Sequence, residues 1–271
     1  MILNNISVVL CNTSHPGNIG STARAMKTMG ITNLILVDPI TKPDDHTMAL
    51  ASNAKDVVES AKIVDNIDDA LTDTTIAIAM TSRRREFQQH IFTPREIAPQ
   101  IIDRAIDNQK IALVFGSEKN GLTITQLEKC NRLITIPGNP EYCSLNLAQA
   151  VQIICYEIYT QYINNCINDN INNINNTNNN NNSSSNTNNS NNNTNSISST
   201  SITNSTKPST FADTQGILNH LDSILTKVDF YHKKNTERVK RNLQHIIHKA
   251  SLERDEVDLI RGMLTKISQN I

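Results

Sequence analysis

The chain has 271 residues and a formal net charge of −1, with 25 Lys and Arg against 26 Asp and Glu. This balance excludes a general polycation, so any nucleic-acid partner must be held by local basic patches. Apolar residues make up 38% and aromatic residues 4%. These values predict that a polar segment dilutes a chain otherwise able to bury a core.

Targeting and metal-binding signals are weak. The five cysteines are scattered and odd in number, so we expect reduced thiols, no disulfide framework and no metal site. The N-terminus lacks the features of a signal peptide, and no stretch approaches the length of a membrane span. We therefore expect a cytoplasmic protein without a membrane partner.

From residue 6 to about residue 162, short apolar runs alternate with helical patterns, which is typical of an α/β fold with a mainly parallel sheet. Strands are expected at residues 7–11, 33–37, 75–80, 111–115 and 133–136, with a weaker one near Ile63. Helices are expected at residues 19–29, from Thr93 or Pro94 to residue 106, and at 145–159. These elements predict a first domain over residues 1–163.

A change of composition separates this domain from the C-terminus. Residues 164–206 consist almost entirely of Asn, Ser, Thr and Ile, so they cannot offset their ordering entropy. We predict a disordered linker at 164–207, with a self-associating Asn-rich tract as the alternative. Residues 208–271 contain three helical patterns and predict a small helical module. One of its helices carries Arg238, Lys240 and Arg241, which indicates either an RNA-backbone contact or a solvated face.

The first polar loop follows the first strand and opens a helix. Gly17 and Gly20 would let the backbone approach a ligand closely, and Asn18 supplies both a donor and an acceptor. Arg24 lies one helical turn beyond Gly20 and could reach the same ligand. A structural turn with a surface arginine is the alternative, because the spacing matches neither the dinucleotide fingerprint nor a Walker loop.

Two further glycine-bearing loops follow later strands. One contains Gly116 and Glu118 and leads to a helix expected near Thr123. The other is rich in Pro and Gly and leads into the long helix, for which Ser144 is the expected N-cap. Because the carboxyl ends of parallel strands share one edge of the sheet, the three loops predict a pocket there.

The three segments resemble the signature motifs of SPOUT methyltransferases. The runs NTSHPGNIGSTARAMKTMG, VFGSEKNGL and IPGNPEYCSLNLAQAVQ are similar to the subfamily that methylates the 2'-hydroxyl of nucleotide 32 in tRNA, and SLERDEVDLIRGML resembles its C-terminal module more loosely. The resemblance implies a deep trefoil knot, S-adenosylmethionine as methyl donor and no metal. It also implies a homodimer whose site draws on both subunits, with the helical module binding tRNA or supporting the dimer.

The expected site residues form three groups, of which the catalytic group and the donor site are carried over from the resemblance. Arg24 would have the central catalytic role, supported by Asn18 and Glu118. The donor site would comprise Thr81, Ser82, Arg83, Gly116, Ile136, Cys143, Ser144 and Leu145. The expected RNA contacts are Asn146 and, because of their positive charge, Arg84, Arg85, Arg238, Lys240 and Arg241, with a solvated basic loop as the alternative for the arginine turn at 83–85. The sequence departs from the usual pattern at Arg83, at Glu86 and at Cys143.

Methyl transfer to a ribose hydroxyl requires in-line placement of the reactants and removal of a proton. A guanidinium stays charged in proteins, so we expect Arg24 to hold the adjacent phosphate and to stabilise alkoxide charge rather than to accept the proton. Two other classes of function remain open: a ribosomal RNA methyltransferase of the same fold, and an RNA-binding protein without catalysis.

Overall fold

A computed structural model describes the backbone of residues 2–82, 90–181, 207–231 and 235–271, and the side chains of these residues except 169–181. Its centre is one seven-stranded sheet in the order β3-β2-β1-β6-β4-β7-β5, and all six neighbouring pairs are parallel. The strands are β1 (Ile6–Cys11), β2 (Asn33–Val37), β3 (Lys62–Val64), β4 (Ile76–Met80), β5 (Ile91–Phe92), β6 (Ile111–Phe115) and β7 (Arg132–Ile134). This confirms the predicted mainly parallel α/β fold.

Seven helices accompany the sheet over its described residues: α1 (Pro16–Thr28), α2 (Asp45–Ala51), α3 (Lys55–Glu59), α4 (Ile67–Leu71), α5 (Pro94–Ile106), α6 (Ile124–Glu128) and α7 (Leu147–Asn181). Short 3-10 turns lie at Ile2–Asn5 and Ser52–Ala54. None of the helices within the described part of the chain is long and apolar enough to cross a membrane.

The sheet is buried on both faces, which explains the nearly continuous apolar runs in its central strands. Val8 and Leu10 of β1 pack into one core with α1, α5 and α7. Val9 and Cys11 point to the opposite face, where they pack with α4 and α6. Successive side chains of a strand alternate between faces, so one short strand contributes to both cores.

Side-chain caps fix where several helices begin. Thr93 caps α5 and Thr123 caps α6, each in a reciprocal capping box with the residue three positions on. Both starts agree with the sequence. The predicted cap of α7 was wrong, because Asn146 Oδ1, and not Ser144, accepts the hydrogen bond from the amide of Ala148 at 2.9 Å.

Helix α7 continues to Asn181 and so enters the segment predicted to be a disordered linker. Over residues 164–181 that prediction differs from the structure. The apolar face at the start of α7 supplies the costly helix nucleus, and each further Asn then extends the helix at a modest penalty. The rest of the predicted linker, 182–206, lies outside the described residues.

The C-terminal module consists of α8 (Phe211–Lys227), α9 (Thr236–Ala250) and α10 (Arg254–Gln269), as the helical patterns predict. Its small core contains Ile217, Ile224, Val257 and Leu264. It docks on the face of the sheet that carries α4 and α6. The amide of Phe211 donates to Thr74 O at 2.7 Å, and its ring enters the second core.

One strand of the first domain was not predicted, and one prediction for this domain is not tested by the described residues. The two-residue strand β5 was not predicted from the sequence. The trefoil knot stays a prediction, because the path from β4 to β5 includes residues 83–89, which lie outside the described ranges.

Candidate active site

A cavity of about 280 Å³ lies at the carboxyl edge of the sheet, beyond the ends of β4 and β6 and beside the start of α7. Its wall contains seven of the eight residues expected to bind the methyl donor: Thr81, Ser82, Gly116, Ile136, Cys143, Ser144 and Leu145. The eighth, Arg83, lies outside the described residues, as do Arg84 and Arg85. The structure therefore brings the second and third loops together as the strand order predicts.

Glu118 ties the first loop to the second. Its carboxylate accepts hydrogen bonds from the amide and hydroxyl of Ser14 at 3.0 and 2.9 Å, from the amide of His15 at 3.3 Å, and from Asn18 Nδ2 at 2.8 Å. Four donors around one carboxylate fix the turn that opens α1. Ser14 and His15 were not singled out in the sequence, because their contribution is largely through backbone amides.

The same contacts set the ionisation of Glu118. Partial burial acts to raise the pKa of the carboxyl, but the hydrogen bonds from Asn18 and Ser14 together outweigh it, so the pKa lies below its usual value. Glu118 is thus ionised at neutral pH and is a poor proton acceptor. Its geometry is that of a residue that positions loops.

Asn18 joins the third loop to this network. Its Oδ1 accepts from Asn146 Nδ2 at 3.0 Å while its own Nδ2 donates to Glu118. Asn146 also caps α7, so one chain of side chains links the starts of α1 and α7 through Glu118. Because an amide offers both a donor and an acceptor, Asn is suited to the middle of such a chain.

Gly116 permits the tight second loop. A Cβ at this position would overlap the backbone of Gly121 and Leu122. Gly121 itself has φ +68°, a conformation that L side chains rarely adopt. The two glycines therefore let the loop fold back on the end of β6 and leave the cavity open.

The glycines of the first loop have a different role from the one predicted. A Cβ at Gly20 would overlap the backbone of Thr47, and one at Gly17 would lie 2.7 Å from Leu50 Cδ1. Both positions thus allow α2 to pack closely on α1. The close approach predicted for a ligand is made by a helix of the same chain.

Arg24 is exposed on α1 and does not line the cavity. Within the described ranges its guanidinium makes no hydrogen bond or ion pair. The structure therefore links Asn18 and Asn146 to Glu118 in the cavity wall but leaves Arg24 exposed outside the cavity.

The basic residues of α9 are partly engaged in ion pairs. Lys240 pairs with Asp222 at 2.9 Å inside the module, and Arg241 pairs with Glu128 at 3.0 Å across the contact between module and domain. Arg238 is exposed. Of the three residues expected to contact RNA, Arg238 alone has no carboxylate within reach in the described part of the chain.

The apolar residues of the cavity wall were not predicted from the sequence. Its wall includes Met80, Phe115, Leu122, Leu147 and Ala150. Met80 and Phe115 are the last residues of their strands, a position that could have identified them. In the described ranges, no group of three His, Cys, Asp or Glu side chains is placed to hold a metal ion.

The sequence profile of the SpoU rRNA methylase family matches residues 5–156, and that of the C-terminal domain of the tRNA methyltransferase TrmJ matches residues 212–271. Over 268 residues the chain is 36% identical to the tRNA (cytidine/uridine-2'-O-)-methyltransferase TrmJ of Citrobacter koseri, covering 99% of this chain and 98% of that protein. The chain belongs to the SpoU methylase family. It is a methyltransferase, and its C-terminal module is the one found in TrmJ relatives.

Two solved structures are similar to this chain. A methylase family protein of Neisseria gonorrhoeae is 38% identical with a TM-score of 0.60, covering 81% of this chain and 95% of that one. TrmJ from Z. mobilis ZM4 has a TM-score of 0.76 at 24% identity, covering 97% of this chain and 98% of that one. The second likeness supports the fold, since it extends over both the domain and the module.

Proposed function

We propose that this SpoU methylase transfers a methyl group from S-adenosylmethionine to the 2'-hydroxyl of a cytidine or uridine ribose at position 32 of the tRNA anticodon loop. The observation that carries the proposal is the cavity at the carboxyl edge, whose loops are fixed by the network of Asn18, Glu118 and Asn146. The TrmJ relatives, which match along nearly the whole chain, support tRNA as the substrate. Position 32 rests on the motif resemblance, and a tRNA substrate favours the cytoplasm.

The cavity fits S-adenosylmethionine. Its volume of about 280 Å³ is close to the lower end of the range for small-molecule sites, about 300 to 1,000 Å³. Loop backbone at Gly116 and Gly121 presents no side chain, while Phe115 and Leu122 offer an apolar surface. When bound, S-adenosylmethionine supplies a methyl group on a positively charged sulfur.

The chain's own residues would position the two reactants. Glu118 and Asn18 hold the loop that opens α1 against the wall of the cavity, and Asn146 holds the start of α7. Placement of this kind lowers the barrier because the reacting atoms need no further ordering. A permanently charged Arg24 would hold the phosphate beside the target ribose and stabilise developing alkoxide charge.

Exposure of Arg24 away from its own cavity favours a homodimer in which this residue serves the partner's site. Helix α7 presents exposed apolar side chains at Tyr156, Ile163 and Ile167, which recur along one face and provide a surface for self-association. Light scattering of the intact protein at micromolar concentration should then give the mass of two chains. A monomer would contradict this part of the proposal.

Mixed dimers test where Arg24 acts. R24A leaves the cavity intact, whereas G116V closes it, and each variant alone should be inactive. If Arg24 serves the partner's site, refolding the two variants together should restore about a quarter of normal activity, because half of the dimers contain one complete site. If Arg24 acts within its own chain, the mixture stays inactive.

The function itself is tested by incubating the purified protein with labelled S-adenosylmethionine and unmodified tRNA transcripts, followed by mapping of ribose methylation. Methyl at nucleotide 32 is the expected result. Transfer to ribosomal RNA but not to tRNA would replace the proposed substrate. Binding of tRNA without any transfer under the same conditions would contradict catalysis.

A further inference from the structure

A second cavity lies at the opposite, amino edge of the sheet, between the first domain and the C-terminal module. It is small, about 40 Å³, which is room for a few water molecules or one tetrahedral oxyanion. Its walls are the starts of β4 and β7, the end of α5, the start of α8 and the end of α9. It is therefore separate from the methyltransfer cavity.

The charged residues that line this junction cavity are both cationic. Arg104 and Arg132 line it, and within the described ranges neither guanidinium forms an ion pair. Arg132 donates to Asn131 O at 3.0 Å and Arg104 donates to Gln109 Oε1 at 3.0 Å. A guanidinium carries five N–H donors, so each arginine keeps donors for a further acceptor.

His248 provides an independent sign of a missing partner. It lines the same cavity, its residue is 5% exposed, and its Nε2 has no hydrogen-bond partner. Leaving a buried polar atom unpaired is costly, and the usual reason for retaining one is a ligand or an ordered water. The nearby charges that act on His248 are those of Lys129, His245 and Arg132, all of one sign.

Backbone amides at the start of α8 do not complete this site. The amides of Phe211 and Ala212 donate to Thr74 O and Thr72 O, and that of Asp213 donates to Thr210 Oγ1. Asp213 places its carboxylate on the amide and hydroxyl of Thr210. Any affinity for an anion must therefore come from the side chains of Arg104, Arg132 and His248.

We propose that the junction cavity binds a phosphate group through Arg104, Arg132 and His248, and that this phosphate joins the C-terminal module to the domain. Two half-buried guanidiniums and a buried imidazole are a set of donors that matches a tetrahedral oxyanion. The phosphate comes either from the backbone of an RNA or from a free phosphorylated molecule. The site does not depend on methyl transfer.

Inorganic phosphate is the probe, titrated into the full-length protein at constant ionic strength and followed by equilibrium dialysis and thermal unfolding. Saturable binding of one phosphate per chain is expected, with a rise in Tm of about 3 °C at tenfold excess over the dissociation constant. R132Q and R104Q should each weaken binding by about tenfold or more. R95Q is the matched control, since Arg95 lies on the same helix as Arg104 but pairs with Glu157 on the surface.

Competition with tRNA then identifies the source of the phosphate. Displacement of phosphate by tRNA, together with a salt slope reduced by about one in R132Q, assigns the site to RNA backbone. Retention of phosphate on the tRNA complex, with unchanged tRNA affinity in R132Q, assigns it to a free phosphorylated molecule. Equal binding by R132Q, R104Q and R95Q, or no saturable binding at all, overturns the proposal. A cooperative thermal unfolding transition measured without phosphate shows that each variant is folded. If one of R132Q and R104Q fails to fold, the other can still be compared with R95Q.

Discussion

At the carboxyl edge of the sheet a carboxylate is surrounded by four donors, whereas at the amino edge two guanidiniums and an imidazole surround a cavity without an ion-paired acid in the described part of the chain. In the first arrangement the protein satisfies its own charge, which fixes the loops around an open space. In the second arrangement the two guanidiniums have no ion-paired acid in the described part of the chain, so they can bind an anion from outside the protein. Both cavities lie at edges of one parallel sheet, so the difference arises from the side chains at each edge. Glu118 lies in a loop at the carboxyl edge, whereas Arg132 of β7, Arg104 of α5 and His248 of α9 lie at the amino edge.

Closing the carboxyl-edge cavity should have the largest effect. In G116V a branched side chain would overlap the backbone of Gly121 and Leu122 and displace the second loop. We expect kcat/KM to fall by about 1,000-fold, corresponding to about 4 kcal/mol, because the reactants can no longer be aligned. Methyl transfer to tRNA and direct binding of S-adenosylmethionine measure this loss.

Gly262 supplies the matched control. It lies in α10 with no atom within 4 Å of an added Cβ, so G262A should keep full activity and unfold at a slightly higher temperature. A normally active G116V, or an inactive G262A, would contradict the view that the second loop shapes the cavity.

As the pH falls, the first loss of folding stability should come from His248, in the junction cavity at the amino edge of the sheet. Burial, followed by the charges of Lys129, His245 and Arg132, lowers the pKa of His248 to about 4. The histidine is therefore neutral when folded and gains a proton when unfolded near pH 6.5, so its contribution to stability is present above that pH and is lost as pH falls toward 4. The loss approaches about 3 kcal/mol.

Urea unfolding between pH 7 and 4 measures this slope, and H248Q should flatten it. The carboxylates with lowered pKa, such as Glu118 and Asp213, contribute their loss at lower pH because their ordinary values are 4.5 and 3.8. An equally steep slope in H248Q between pH 6.5 and 5 would assign the acid sensitivity elsewhere.

Part of this organisation could be predicted from the sequence because it follows from local pattern. The apolar runs of β1, β2 and β6 predict buried parallel strands, and parallel strands predict that their loops converge at one edge. Seven of the residues expected to bind the methyl donor line one cavity, as that convergence predicts. Strand β5 was missed because two residues carry no periodicity.

The remaining features depend on contacts between distant parts of the chain. Arg241 belongs to a basic helix in the sequence, but its partner Glu128 lies far away on α6. Gly20 follows a strand like a ligand-binding glycine, yet it faces Thr47 of α2. Asn and Ser are both favourable N-cap residues, but Asn146 and not Ser144 caps α7. The side chain of Asn146 also donates a hydrogen bond to Asn18, a contact that the local sequence does not reveal. Tertiary packing therefore decided each case.

Neutralising the satisfied carboxylate should produce an intermediate effect. In E118Q the amide can accept at one end but would present hydrogens to Ser14 or Asn18, which are donors. We expect kcat/KM to fall by about 30-fold, about 2 kcal/mol, with most of the change in kcat because the loops are misplaced. E141Q is the control, since Glu141 is an exposed acid in the third loop. Equal losses in both variants would make the effect one of net charge.

Substitutions on α9 should have the smallest effects, and they separate ion pairs from RNA contacts. R241A removes the pair with Glu128, which is partly exposed, so we expect a loss of stability of about 0.5 kcal/mol and an unchanged salt dependence of tRNA binding. R238A removes an exposed arginine without a carboxylate partner in the described ranges, so we expect unchanged stability and a salt slope reduced by about one. Titrations of tRNA at several salt concentrations measure both. If R241A reduces the slope as much as R238A does, its pair with Glu128 opens when RNA binds, and the whole basic face of α9 belongs to the RNA surface.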